Sequence, residues 1–460
     1  MNLSHIIAMN IVIIGGVAAG AKAAAKIKRL LPEANVSIYT DDTHVSYSSC
    51  GLPYYIQGNF TDFRMLLVRS VEEFNHSGID VFLESKVEKI LVKHNQILVC
   101  NKNEAYLVKY DKLIIATGAR PKIPNIHNLS NYQNIFTLRK IEDGIKIREK
   151  MLNSKRATII GCGYIGLELL EAFVKNGLEV TVIERSSRLN SSFDADMSDL
   201  IRVRLESIEN RNFNIYTDEI VSEIIGNTTN ATAVKTHSGK VFETDMIVIC
   251  TGITPNSEIA KEAGLAIGKS GAIKANKLMQ TSVPNIYACG DCCEESHIIS
   301  GKSVWVPLGS TANKEGRCAA MNAAGIYSPF EGVLGSSVSR CLNTTMSMTG
   351  LNEKEAIEAG FSPVSATISK TDKVAYMPDV GDITLKVIAD KQSGLLLGGQ
   401  AIGAIGADKR INSLATALLA HLTVKEFKHN DLTYSPPYST TIDPLLDAMN
   451  ILCSKINKHC

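Results

Sequence analysis

Ala157-Thr158-Ile159-Ile160-Gly161-Cys162-Gly163-Tyr164-Ile165-Gly166 is the stretch that decides the fold. Ala157 to Ile160 read as a short buried strand, and the glycines at 161, 163 and 166 form a G-x-G-x-x-G turn. That turn opens a helix over Leu167-Glu168-Leu169-Leu170-Glu171-Ala172-Phe173. A second strand, Val180-Thr181-Val182-Ile183, ends in Glu184. Glycines permit the tight turn and let backbone approach a pyrophosphate at the helix N-terminus, and an acid about 20 residues on accepts a hydrogen bond from a ribose hydroxyl. With all the parts in order, Gly161, Gly163, Gly166 and Glu184 are read as dinucleotide contacts. Glu184 repels a 2′-phosphate and favours NADH, whereas Arg185 and Arg188 are close enough to accommodate one, so NADPH stays open.

A poorer copy of the unit lies about 146 residues earlier, counted from Gly161 back to Gly15. After strand Asn10-Ile11-Val12-Ile13-Ile14 comes Gly15-Gly16-Val17-Ala18-Ala19-Gly20, which keeps the outer glycines but carries Val17 in the middle. Its second strand, Val36 to Tyr39, ends at Thr40, and the acids Asp41 and Asp42 come late. Alone, this copy reads equally as a nucleotide site or a structural turn. A third segment, Ile286-Tyr287-Ala288-Cys289-Gly290-Asp291, is a strand ending in Gly-Asp, suited to placing a carboxylate by a polar cofactor. The turns Ile114 to Pro121 and Val248 to Asn256 resemble one another and flank the second unit, as the ends of an inserted domain would.

Composition bounds the rest. The 460 residues are 45% hydrophobic and 21% charged, enough for a large core in two to four domains. A formal charge of +1 gives no overall field for nucleic acid or anionic membrane, so neither is expected as a partner. Eleven cysteines are too sparse for a disulfide scaffold, and Cys292-Cys293 is not a zinc-type pair; no metal site is expected, and a reducing, cytoplasmic setting is. No signal peptide or bilayer-spanning run is evident, and translation from Met1 or from Met9 stays open.

Cys50 stands in His44-Val45-Ser46-Tyr47-Ser48-Ser49-Cys50-Gly51-Leu52-Pro53-Tyr54-Tyr55. Gly51 and Pro53 suit a tight helix entry, which would put Cys50 near a positive helix end and favour its thiolate. The position where a C-x4-C dithiol would carry its second sulfur is Tyr55. An isolated cysteine more often packs as an inert small hydrophobe, so the surroundings must decide.

Taken together, these residues resemble the two-dinucleotide flavoprotein disulfide reductases, and within them the single-cysteine branch of coenzyme A disulfide reductases, NADH oxidases and NADH peroxidases. The resemblance runs from Ile11 through Leu446. It implies an α/β chain of two Rossmann-like domains plus a C-terminal α+β dimerisation domain: FAD-binding residues 9–125 and 245–327, NAD(P)H-binding residues 126–244, and dimerisation residues 328–460. FAD contacts are implied at Gly15, Gly16, Ala18, Gly20, Thr117, Gly118, Arg120, Gly252, Gly290, Asp291 and Ala312. Asp41 is taken as the substitute for the ribose-binding acid usual at Thr40. Tyr164 resembles the family's gate over the nicotinamide side of the flavin, and Glu168 joins it at the cofactors.

Within the branch, oxidases and peroxidases carry a histidine in the first glycine turn; here it is Ala18. The S-Y-S-S-C-G-L-P-Y-Y run and Leu432-Thr433-Tyr434-Ser435-Pro436-Pro437-Tyr438 look like the coenzyme A disulfide reductase type, whose second tyrosine falls at Tyr376. The resemblance therefore implies NAD(P)H-driven reduction of coenzyme A disulfide, or of a related persulfide or polysulfide. The agents are Cys50 with Tyr376 and Tyr434, the tyrosines coming from the partner subunit of a homodimer. Lys22, Lys26 and Arg29 share one face of the first helix and, with Ser46, Ser49 and Asn313, are the expected coenzyme A contacts; a solvated basic face is the bland alternative. Gly398 to Gly403 read as strand and turn, and the helix Arg410 to His421 has Ile411, Leu414, Ala415 and Leu418 on one face, core by pattern and a dimer face only by resemblance. The chain stops at Cys460, too soon after Pro436-Pro437 for an appended sulfurtransferase domain. Rival readings are an NADH oxidase consuming O2 and a non-catalytic redox-sensing flavoprotein.

Overall fold

Strand Asn10–Ile14 is the hub of the first sheet. It lies between Asn35–Tyr39 and Lys112–Ile115, with Ile79–Phe82 and Ile286–Ala288 at the edges, all parallel. The computed structural model describes residues 9–456, so the expectations about Met1 and Cys460 lie outside the described residues. Ile11, Ile13 and Ile38 are fully buried, as expected for parallel strands covered on both faces. Helix Ala18–Leu30 packs against helix Gly309–Ala323 so closely that a Cβ on Gly316 would meet the Ala19 carbonyl oxygen at 2.3 Å.

The second sheet runs Phe213–Tyr216, Glu179–Ile183, Arg156–Ile160, Met246–Ile249, Ile135–Thr137, again all parallel. The two units repeat one another hydrogen bond by hydrogen bond. Gly15 N donates to Tyr39 O as Gly161 N does to Ile183 O, both at 2.8 Å; Ala116 N reaches Ile14 O at 2.8 Å as Cys250 N reaches Ile160 O at 2.7 Å. Thr40 N donates to Phe82 O as Glu184 N does to Tyr216 O.

This register corrects one expectation, the domain boundary. Met246–Ile249 pairs with Ala157–Ile160, so the inserted domain continues past residue 245, where the first domain was expected to resume. The crossing back is made by Ala119–Pro121 pairing antiparallel with Ile253–Pro255. Thr40 stands at the position of Glu184, as the sequence places it; Asp41, taken as its substitute, matches Arg185, is exposed, and lies 3.5 Å from Lys140.

The C-terminal domain is an antiparallel sheet, Ser337–Cys341, Thr344–Gly350, Leu396–Gly403, Asp382–Asp390, Pro363–Thr371, covered by helices Ala407–Leu419 and Pro444–Ile456. Gly398 to Gly403 lie wholly within the buried strand Leu396–Gly403, the turn beginning only after them; a Cβ on Gly399 would meet Leu414 Cδ2 at 2.4 Å, so glycine lets the helix settle onto the sheet. Ile411, Leu414 and Leu418 are buried in that same domain core, so the helix face suggested for dimer contact is used within the chain. Exposed apolar side chains sit elsewhere in the domain, among them Tyr376, Ile405, Tyr438 and Ile442. Among the described residues no helix is long and apolar enough to cross a membrane.

Candidate active site

Three long helices begin at the carboxyl ends of these sheets without a side-chain cap: Ala18–Leu30, Tyr164–Lys175 and Gly309–Ala323. Surface helices of the same chain are capped by Ser70, Asn352 and Thr423 through full capping boxes. Free N–H groups at three helix starts suit anionic ligands in place of caps. Gly161 has φ +101°, and a Cβ on Gly166 would meet Gly161 O at 2.2 Å, whereas a Cβ on Gly163 would meet nothing within 4 Å. That open face is the cradle a pyrophosphate backbone contact needs. The Glu184 carboxylate accepts from Cys162 N and Ser186 N, both at 2.8 Å, which fixes it beside the turn. These residues fit a pyridine dinucleotide.

The first unit fits FAD by the same geometry. Gly15 has φ +100°, and a Cβ on Gly20 would meet Gly15 O at 1.9 Å. Gly290, with φ +78°, faces Ala19 and Ala312. Its N–H donates to Glu315, a buried acid pushed well above the usual carboxylate range by burial, then by Glu295. The Glu315 Oε1 has no hydrogen-bond partner, marking this turn as polar ground beneath a site. Thr40 takes Glu184's role weakly, its hydroxyl accepting from Asp42 N at 3.3 Å. Asp42 is buried and already accepts from the Tyr47 hydroxyl and from His44 N.

Cys50 sits in the one-turn 3-10 segment Ser49–Gly51 that runs into helix Leu52–Gln57, with Pro53 in its first turn as expected. The residue as a whole is exposed, yet its sulfur lies against the start of helix Gly309–Ala323, where a Cβ on Gly309 would be 3.7 Å from Sγ. The sulfur's immediate surroundings are therefore the better guide to its chemistry than the exposure of the residue. Burial of the sulfur pushes the thiol up, and the Glu168 and Asp291 carboxylates add to this; Arg139 and the Ser49 hydroxyl pull it down. The protein's own groups thus oppose the thiolate that the helix end alone would favour. Asp291 is held by Arg139 at 2.7 Å, and its carbonyl accepts from Trp305 Nε1 at 2.8 Å.

Glu168 is itself raised to about 7, by burial and then by Glu171. Its charge therefore changes near neutral pH, and above that point it opposes ionisation of Cys50. Glu168→Gln is expected to lower the pH midpoint for iodoacetamide alkylation of Cys50 in the NADH-reduced holoenzyme. A midpoint that stays put would show that this carboxylate does not act on the sulfur.

Other expected contacts are distributed as follows. Tyr164 donates to or accepts from Ser337 at 2.7 Å, which ties the glycine turn to the C-terminal domain. Arg120 is engaged in the linker ladder, bonding Asn256 and Glu258, and the Thr117 hydroxyl donates to Asn256 O at 2.5 Å. Gly118 lies close to Arg139 and Gly252 is open. Ser46 adopts φ +53° and is bound through its backbone to Gly16 O, so it shapes the turn ahead of Cys50. Lys22 and Lys26 are half-buried, while Arg29 and Asn313 are exposed. Exposed Lys314 and Arg317 on the adjoining helix add cations that the sequence reading passed over. Arg139 was also missed; it sits in a plain turn before a helix, and only the fold brings it to Asp291 and Cys50. Tyr376 and Tyr434 are on the surface of the C-terminal domain, 75% and 47% exposed.

Comparison with known proteins agrees with this geometry. Residues 9–316 match the pyridine nucleotide-disulphide oxidoreductase model and residues 341–445 its dimerisation domain. The chain is 38% identical over 445 residues to the "NAD(P)H sulfur oxidoreductase (CoA-dependent)" of Pyrococcus abyssi, covering 96% of this chain and 98% of that protein. It is 32% identical to the coenzyme A disulfide reductase of Staphylococcus epidermidis, covering 93% and 96%. Reduced Bacillus anthracis CoADR-RHD superposes with a TM-score of 0.93 at 34% identity, over 98% of this chain and 81% of that one. Two glycine-turn units and an appended antiparallel domain, with these matches, have one common explanation: the chain belongs to the FAD- and NAD(P)H-using pyridine nucleotide-disulphide oxidoreductases.

Proposed function

We propose that the chain reduces coenzyme A disulfide, or a coenzyme A persulfide, to thiol at the expense of NAD(P)H, as a homodimer. The observation that carries this is the isolation of Cys50. Tyr55, where a second sulfur would stand, is buried beneath Arg148, whose guanidinium lies 4.7 Å over its ring. Among the described cysteines Cys50 is the exposed one, Cys100 and Cys250 being half-buried and the others buried. Its disulfide partner must therefore arrive with the substrate, and two of the relatives above are named for coenzyme A, one as CoA-dependent and one as a coenzyme A disulfide reductase.

Bound FAD supplies the two-electron relay between nicotinamide and sulfur. The chain's own residues do the rest. The Gly161–Gly166 turn with Glu184 holds NAD(P)H. Cys50 Sγ, as thiolate, attacks one sulfur of the substrate disulfide; the S–S bond breaks, a mixed disulfide forms, and one coenzyme A thiolate leaves. Two electrons from NAD(P)H then return Cys50 to thiolate and free the second coenzyme A, so that disulfide, NAD(P)H and one proton give two thiols and NAD(P)+. Tyr376 and Tyr434 of the partner subunit would give the leaving thiolate its proton. Lys22, Lys26 and Arg29 with Lys314 and Arg317 would hold the phosphates. Such half-buried to exposed charges are each worth about 1 kcal/mol or less, so they act jointly.

Intact mass spectrometry of the unreduced protein tests this reading. A coenzyme A-sized adduct on Cys50, removed by NADH under anaerobic conditions, is expected; sulfenic acid there instead, with NADH consumed against O2 alone, would replace it with the oxidase reading.

A further inference from the structure

Tyr376 and Tyr434 lie on two separate loops, and one buried side chain joins those loops. Arg410, only 5% exposed, sits in the first turn of helix Ala407–Leu419. A cation there faces the positive end of its own helix, which is unfavourable by itself. Its guanidinium nonetheless has every direction filled. One terminal nitrogen donates to Gly406 O at 3.0 Å; the other donates to Asp372 O at 3.1 Å and to the Ser439 hydroxyl at 3.2 Å, and pairs with Asp443 at 3.0 Å. Nε adds a bond to Asp443 at 3.1 Å, and Ser439 donates to the same carboxylate oxygen at 2.8 Å.

The partners are the bases of the tyrosine loops. Asp372 closes the loop carrying Tyr376: its N–H donates to Gly381 O, and its carboxylate accepts from Gly381 N. Asp443 ends the stretch carrying Tyr434 and Tyr438, and accepts from Leu445 N at the start of helix Pro444–Ile456. The two tyrosine side chains are themselves exposed. Their separation is therefore set at the loop bases, through one planar donor whose fork fixes both angle and distance.

We infer that Arg410 is a positioning residue that holds Tyr376 and Tyr434 in the mutual geometry needed to protonate the leaving coenzyme A thiolate. This rests on the role given to those tyrosines above. Lysine can keep the charge and one or two of these bonds but cannot span both loops with fixed angles, so Arg410→Lys should lie between wild type and Arg410→Met.

The test separates the two half-reactions in the holoenzyme. In Arg410→Met, kcat for coenzyme A disulfide is expected to fall between about 10- and 100-fold, the range for a misplaced reacting group. The rate of flavin reduction by NADH and the KM for NADH should stay within twofold, with FAD content and dimer mass unchanged, and Arg410→Lys should recover part of kcat. Tyr376→Phe combined with Tyr434→Phe serves as the reference. If that double variant slows turnover and a folded, dimeric Arg410→Met does not, the positioning inference fails alone; if the double variant turns over at the wild-type rate, the tyrosine role fails first. Equal losses in both half-reactions of Arg410→Met would make Arg410 a general structural residue and overturn the inference. Should Arg410→Met fail to assemble, the same split is read from Ser439→Ala, which removes one bond of the set and should lower the same half-reaction by a smaller factor.

Discussion

Cys50→Ser is expected to lose coenzyme A disulfide turnover by roughly a thousandfold or more, while FAD stays bound and NADH still bleaches the flavin absorbance. A serine hydroxyl is nearly isosteric but cannot form or exchange a disulfide, so the sulfur chemistry is removed at its first step. Neither nucleotide cradle includes the side chain of residue 50. The Gly161–Gly166 turn and Glu184 are built within the inserted domain, and the first glycine turn rests on Tyr39, Ile14 and Ala116. Rapid-scan absorbance with NADH, followed by disulfide, separates the two events. Disulfide turnover at more than a few per cent of wild type would mean that electrons reach the substrate without Cys50. Loss of FAD from the variant would mean that Cys50 is needed to hold the site rather than to react in it.

How Cys50 behaves also marks where the sequence stops being informative. Its location beside a helix entry was legible, because Gly51 and Pro53 are local signals. Its electrostatic setting was not: Glu168 comes from the helix of the second unit and Asp291 from the turn after strand Ile286–Ala288, and together with burial they reverse the sign of the expected shift. Arg139, which opposes them, carries no pattern at all. The nucleotide turns were legible because glycine placement and strand–helix period are short-range. Thr40 at the strand end, in the place of Glu184, was legible too; Asp41, the nearest following carboxylate, is exposed and lies 3.5 Å from Lys140. The boundary at 245 failed because sheet membership is long-range. Met246 to Ile249 is a wholly buried strand, and such a run says that it is central to a sheet without saying which one. In the C-terminal domain the apolar face over Ile411, Leu414 and Leu418 was visible, but periodicity cannot tell a domain core from a subunit interface.

The second large effect is expected at Lys386, far from the sulfur. Lys386 is 3% exposed on strand Asp382–Asp390 and is surrounded by Asp194 at 3.2 Å, Asp196 at 2.9 Å and Glu353 at 3.2 Å. Burial alone would depress its pKa, but the three carboxylates outweigh that and hold it raised, so it is charged throughout the working range. Two of those acids belong to the inserted nucleotide domain and the third to the C-terminal domain. Gln400 adds a pair of bonds to the same point, accepting from Asp194 N at 3.0 Å and donating to its carboxylate at 2.9 Å. Asn352 donates to Ser192 O, and Asn190 N holds Cys162 O in the glycine turn. The ammonium therefore fixes the segment that backs the NAD(P)H turn onto the dimerisation sheet. Lys386→Met removes one positive charge and leaves Asp194 buried beside two further acids; breaking a buried pair this way costs about 3–5 kcal/mol. The variant should show a lower guanidinium midpoint and a raised KM for NADH, the second because the loop behind Cys162 is released. Adding Asp194→Asn should recover part of the loss, since the uncompensated charge is then gone while Gln400 keeps an acceptor. A double variant as unstable as the sum of the singles would show that Lys386 acts by packing alone, and a single variant with an unchanged midpoint would show that the three carboxylates are solvated well enough to need no partner.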